Sequence, residues 1–126
     1  MTCTVLIVDD SKLARIVVAK AVTAIQPDWK KIEAGNAEEA SALLREGGID
    51  LAILDFNMPG RNGLDLAQQI RGKHPEMPIA LATANLQDEI ISQAHTLNAT
   101  FVAKPITEDG LRPFLSGAAL RLRRKG

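Results

Sequence analysis

Apolar residues gather in short unbroken runs along this chain: Val5-Leu6-Ile7-Val8, Leu51-Ala52-Ile53-Leu54, Ile79-Ala80-Leu81-Ala82 and Phe101-Val102-Ala103. Runs this short, rich in branched side chains and lacking polar alternation, predict strands buried on both faces, as in a parallel sheet. Lys31-Ile32-Glu33-Ala34 is a weaker strand, ended by Gly35-Asn36. Between these runs the apolar spacing turns helical. Ser11 can open a helix whose apolar positions Leu13, Val17, Ala21 and Ala24 recur at helical spacing, until Pro27-Asp28 breaks it. A second helix is expected from Ala37 to Glu46, with Ala40, Leu43 and Leu44 facing inward and Gly47-Gly48 as its stop. After the third strand, Met58-Pro59-Gly60 and Asn62-Gly63 supply turn chemistry before a helix from Leu64 to Lys73. Asp88 to Leu97 reads as a fourth helix with Asn98 as a left-handed cap, and a last helix lies between Thr107 and Arg124. Pro113 and Gly117 fall inside it, so it either starts late, near Arg112-Pro113, or is kinked.

Five β–α units in succession predict an α/β fold with a parallel sheet, helices on both faces and right-handed crossovers. The periodicity leaves the strand order open. At 126 residues the chain reads as one domain, residues 1–126, with no repeat, low-complexity tract or linker. The formal net charge is zero, which gives no electrostatic reason to expect direct nucleic-acid binding. Cys3 is the single cysteine, and no apolar stretch is long enough to suggest membrane insertion. A cytoplasmic location is expected. Trp29 is expected to pack, and His74 and His95 to face solvent. The basic tail of Arg121, Arg123, Arg124 and Lys125 reads as favourable charge at a helix C-terminus.

The residues that end the apolar runs bring chemistry into the picture. Asp9-Asp10 close the first run and Asp55 closes the third; Thr83 and Lys104 close the fourth and fifth. In open α/β folds the crevice beyond the carboxyl ends of the strands is where ligands bind. Three carboxylates gathered there repel one another and raise their own pKa values unless a cation offsets them. Oxygen donors with no nearby Cys or His suit a hard ion, and Mg2+ is the candidate. One carboxylate could then attack phosphorus to form an acyl phosphate, while the hydroxyl and the ammonium receive its oxygens.

Taken in order, Asp9-Asp10, Asp55, Met58-Pro59, Thr83-Ala84 and Lys104-Pro105 resemble the receiver domain of two-component response regulators, in its CheY-like single-domain form. The resemblance spans the whole chain. It implies a flavodoxin-like (βα)5 fold with strand order 2-1-3-4-5, and a signalling switch rather than an enzyme with a separate substrate. It also implies Asp55 as phosphoacceptor, Asp10 as a direct Mg2+ ligand, Asp9 acting through a metal-bound water, and the backbone carbonyl of Asn57 completing the protein's share. Thr83, Ala84 and Lys104 would bind the phosphoryl group, Phe101 would be the aromatic switch, and Pro105 would follow a cis peptide bond. Asn57 and Asn85 occupy positions that tune hydrolysis; two amides can orient a water but not deprotonate it, so a moderate phosphoryl lifetime is expected. The phosphodonor would be a sensor histidine kinase or a histidine phosphotransfer protein. A downstream protein would read the face formed by the fourth helix, fifth strand and fifth helix.

Hydrogen bonds to charged groups contribute about 1.5–3 kcal/mol each. If phosphorylation draws in both Thr83 and Lys104, it supplies on the order of 3–6 kcal/mol, against about 5.5 kcal/mol needed to invert a 1:99 equilibrium. Plainer readings exist for each marker: a helix N-cap for Asp9-Asp10 or Thr83, a turn for Asp55, core packing for Phe101. None of them explains the ordered set. A haloacid-dehalogenase-type phosphatase needs a second aspartate two positions after the first, where Ser11 and Lys12 stand. A flavodoxin needs a hydroxyl-rich first loop, which is lacking.

Overall fold

A computed structural model describes residues 2–58, 60, 62–84 and 88–125. The Pro59 of the predicted turn and the candidate tuning residue Asn85 lie outside the described residues. Five strands alternate with five helices: β1 (Thr4–Val8), α1 (Lys12–Ile25), β2 (Lys30–Ala34), α2 (Ala37–Glu46), β3 (Leu51–Asp55), α3 (Gly63–Lys73), β4 (Ile79–Thr83), α4 (Asp88–Thr96), β5 (Thr100–Ala103) and α5 (Glu108–Lys125). All pairings are parallel and the order is β2-β1-β3-β4-β5, as the family resemblance implied.

Because strand side chains alternate, β1, β3, β4 and β5 each feed two cores, while β2 feeds only one, through Ile32 and Ala34. Val5, Ile7, Leu51, Ile53, Ala80 and Val102 pack with Val18 and Val22 of α1 and with Leu111, Phe114 and Leu115 of α5. Leu6, Val8, Leu54, Ile79 and Leu81 face the other way, against Ala40 of α2, Leu66 and Ile70 of α3, and Ala94 of α4. Trp29 is buried in the first of these cores. Local chemistry sets the helix starts. Ser11, Asn36 and Asn62 each accept a backbone N–H three residues on, from Ala14, Glu39 and Asp65. Asn98 adopts the left-handed conformation expected of it, with φ 56°.

One expectation needs correction and one open alternative is decided. Of the predicted α1 positions Leu13, Val17, Ala21 and Ala24, only Ala21 is buried. The buried residues of α1 are Val18, Ala21 and Val22, while Leu13 is 71% and Val17 43% exposed. α1 is apolar around most of its circumference, so helical spacing fits two stripes, and the position of the helix over the sheet selects one. Of the two readings of the last helix, the late start falls away: α5 begins at Glu108 and carries Pro113 inside it. The carbonyl that Pro113 leaves without its helical donor is that of Asp109, an exposed residue where water can take the donor's place.

Candidate phosphoryl-acceptor site

The alternation that builds the cores also sorts the site. Asp9 follows Val5 and Ile7, Asp55 follows Leu51 and Ile53, and Lys104 follows Val102, so all three continue the α1/α5 face. Thr83 follows Ile79 and Leu81 onto the opposite face, where Phe101, registered with Leu81, packs half-buried. The predicted residues thus form two groups back to back: a charged trio on one side of the rim and the Thr83–Phe101 pair on the other.

In the trio, Lys104 Nζ lies 2.8 Å from Asp55 Oδ1 and 3.2 Å from Asp9 Oδ2. Asp9 and Asp55 are almost fully buried, at 4% and 3% exposure, whereas Asp10 is exposed. The backbone N–H of Ser11 donates to Asp9 Oδ1 at 2.9 Å, and that of Asn57 to Asp55 Oδ1 at 3.3 Å. Burial pushes the Asp55 carboxyl above its ordinary range, and the charge of Asp9 adds to this against the pull of Lys104. For Lys104, burial works to lower the pKa, but the bonds to Asp55 and Asp9 outweigh it and the net shift is upward. The ammonium is therefore firmly charged. One oxygen each from Asp9, Asp10 and Asp55 lie within 4.8 Å of one another. An all-oxygen set of three carboxylates offset by a single ammonium fits a hard divalent cation. Thr83 is wholly buried, Ala84 and Asn57 are exposed, and the Lys104–Pro105 bond is cis.

Sequence reasoning missed two residues. A Cβ built on Gly63 would stand 2.2 Å from the carbonyl oxygen of Asp55, so only glycine lets the N-terminus of α3 lie against the end of β3. It read merely as part of an Asn-Gly turn. Arg15 Nη1 donates to the carbonyl of Asp9 at 2.6 Å, and its Nε bonds Glu33 at 3.0 Å. Its only sequence signal was a charge one turn into α1. The unburied stripe of α1 also acquires a place: Leu13, Val17, Pro105 and Ile106 line an open cleft of about 420 Å³ that Asp9 and Lys104 also border.

Residues 5–115 match the family model described as the response regulator receiver domain. The chain belongs to that family. It is 36% identical over 113 residues to the cyclic di-GMP phosphodiesterase response regulator RpfG of Xanthomonas campestris, covering 86% of this chain and 29% of RpfG. Against the response regulator protein PilR of Pseudomonas aeruginosa the identity is 35% over 119 residues, covering 94% of this chain and 26% of PilR. The chain thus spans less than a third of either relative. Among solved structures, the Vibrio cholerae chemotaxis protein CheY4 superposes with a TM-score of 0.84 at 25% identity, covering 94% of this chain and 99% of that one. NtrX from Brucella abortus matches with a TM-score of 0.85 at 27% identity, over 99% of this chain and 29% of NtrX. The receiver is a phosphorylation-activated signalling switch by family. Among the described residues no helix is long and apolar enough to cross a membrane.

Proposed function

We propose that residues 1–126 act as a single receiver in which Asp55 accepts a phosphoryl group from a phosphohistidine on a sensor histidine kinase or a phosphotransfer protein. The observation that carries this reading is the buried Asp55 carboxylate, held on the same face of the sheet as Asp9 and Lys104, which border the cleft, with Lys104 Nζ at 2.8 Å from Asp55 and 3.2 Å from Asp9. A carboxylate oxygen of Asp55 attacks phosphorus; the new P–O bond forms as the P–N bond breaks, and the electron pair leaves with the imidazole. Asp9, Asp10, Asp55 and the backbone carbonyl of Asn57 would hold Mg2+, which when bound supplies positive charge against the transferring group. Lys104 offers its ammonium to a phosphoryl oxygen, and the exposed Ala84 and Asn57 leave the approach open.

The donor needs a surface beside the acceptor. Leu13 and Val17 of α1, with Pro105 and Ile106, form an apolar margin next to Asp9 and Lys104, suited to a helix that presents the histidine. Output starts on the opposite face, at Thr83 and Phe101, and reaches α5, which packs on the acceptor's own face, through β5. Lys104 already bonds Asp55, so its contact is not new on phosphorylation. Thr83 is then the main fresh donor, and one charge-assisted bond of about 1.5–3 kcal/mol shifts a two-state equilibrium roughly ten- to a hundredfold. The switch is graded rather than all-or-none. Thr83 turning toward the phosphoryl group frees room on the face it shares with Phe101, and the surface of α4, β5 and α5 changes for a downstream protein.

Incubation with acetyl phosphate and Mg2+ followed by mass measurement tests the acceptor. Wild type is expected to gain one phosphoryl mass and Asp55→Asn none; a gain that survives the substitution moves the acceptor elsewhere. Amide shifts along α4 and β5 that stay still on phosphorylation would refute the output route.

A further inference from the structure

Every polar atom of Asp9 is held by a partner. Its N–H donates to the carbonyl of Ala34 at 3.2 Å, Oδ1 accepts from Ser11 N–H at 2.9 Å, and Oδ2 accepts from Lys104 at 3.2 Å. The fourth atom, the carbonyl oxygen, accepts from Arg15 Nη1 at 2.6 Å, the shortest of these contacts. That carbonyl belongs to the peptide plane joining Asp9 to Asp10. Fixing it fixes the direction in which the exposed Asp10 leaves the chain. Arg15 is itself fixed, since its Nε bonds Glu33 Oε1 at 3.0 Å on the neighbouring strand β2. A flexible guanidinium thus becomes a strut from β2 to the acidic turn. Its side chain is only 17% exposed.

We propose that Arg15 is a positioning residue for the cation site: by clamping the Asp9 carbonyl against Glu33 it holds the Asp9 and Asp10 carboxylates in register for a divalent ion. The inference rests on the reading of Asp9, Asp10 and Asp55 as a Mg2+ site. Partners that orient metal ligands typically change metal affinity by about 10–100-fold when removed. A charge effect alone runs the other way, because deleting a cation, and leaving Glu33 unpaired, draws a divalent ion in. The sign of the change separates positioning from field.

The test is a Mg2+ titration without any phosphodonor, followed by amide chemical shifts of Ser11, Asp55 and Asn57, with far-UV circular dichroism recording the fold. Arg15→Met is expected to bind Mg2+ about tenfold more weakly than wild type. Arg15→Lys, which keeps the charge but not the fork, should fall between the two, and Glu33→Gln should weaken binding a few-fold. Unchanged or tighter binding by a folded Arg15→Met overturns the proposal. Should Arg15→Met not fold, Arg15→Lys decides in its place, because it keeps the charge: wild-type affinity there overturns the proposal. If wild type itself shows no Mg2+-dependent shifts, the cation assignment fails; if wild type binds and the variants match it, only the role of Arg15 fails.

Discussion

The two rims of the sheet treat charge in opposite ways. At the amino ends of the strands, polar groups close on neutral backbone. Asp50 accepts from Thr4 N–H at 2.8 Å while its own N–H donates back to the Thr4 carbonyl at 2.9 Å. Arg71 donates to the carbonyls of Leu97, His74, Pro75 and Met77 at 2.8–3.1 Å, tying the C-terminal ends of α3 and α4 together. At the carboxyl ends the charges face one another instead, two buried carboxylates sharing one ammonium with a third carboxylate close by. The first arrangement is complete without a ligand. The second is not, and that incompleteness is what a cation and a phosphoryl group can use.

If the carboxyl rim is built for chemistry, its backbone frame must be tighter than stability alone asks. Gly63 offers the hardest test. Alanine there would put a Cβ 2.2 Å from the Asp55 carbonyl oxygen and 3.0 Å from the Cα of Phe56, both backbone atoms that cannot rotate away. Gly63→Ala is expected to cost about 3–4 kcal/mol in urea unfolding, at the upper end for overpacking. It should also slow phosphorylation by acetyl phosphate in the fraction that remains folded. Loss of stability with a normal phosphorylation rate would mean that α3 yields and Asp55 does not depend on it.

Arg71 probes the other rim, with a smaller expected effect confined to stability. Helix C-termini carry carbonyls with no helical donor and a partial negative charge. One half-buried guanidinium serves two such ends at once, and Arg121 adds a bond to the Glu76 carbonyl at 3.2 Å. Arg71→Ala should destabilise by about 2–3 kcal/mol, discounted because water reaches part of the site. The phosphorylation rate of the folded variant should match wild type. A changed rate would mean that the rims are coupled through α4, and the contrast between them would fail.

This contrast was half legible in the sequence. Branched runs ending in Asp, Thr and Lys announced the strands and the reactive rim, because a carboxylate at the end of a buried run has no packing role. What the runs could not disclose was parity. Asp55 and Thr83 end neighbouring strands, yet they continue opposite faces, because Asp55 is registered with Ala82 and Thr83 falls one residue beyond. A one-residue offset exchanges the two sides of a sheet, and no single strand's pattern contains the offset. The same limit hid the exposed stripe of α1, whose sequence is apolar on more sides than the sheet can cover. It also hid Arg71, whose partners are backbone carbonyls, which every residue has and no motif marks, and Arg15, which joins the Asp9 carbonyl to Glu33 on another strand.

The subtlest difference between the rims concerns pH. The Asp55 carboxyl is shifted upward by burial and by Asp9, so the folded protein binds that proton more tightly than the unfolded chain does. Stability from such a group is fully present below the ordinary carboxylate pKa and is lost as pH rises through the raised folded value. At neutral pH without metal, the ionised Asp55 is therefore a net cost, despite its bond to Lys104. Asp55→Asn removes the charge, keeps an acceptor for Lys104 and leaves that ammonium its contact with Asp9. The variant should be more stable than wild type at pH 7 in EDTA, with the gap closing as the pH falls toward 3. Mg2+ should narrow the gap from the other side, because an ion that binds only the folded wild type stabilises it by mass action. Thermal unfolding at several pH values, with and without Mg2+, reads all three effects. A less stable Asp55→Asn at pH 7 would show that the pairing with Lys104 outweighs burial, and the carboxyl rim would then be as self-sufficient as its opposite.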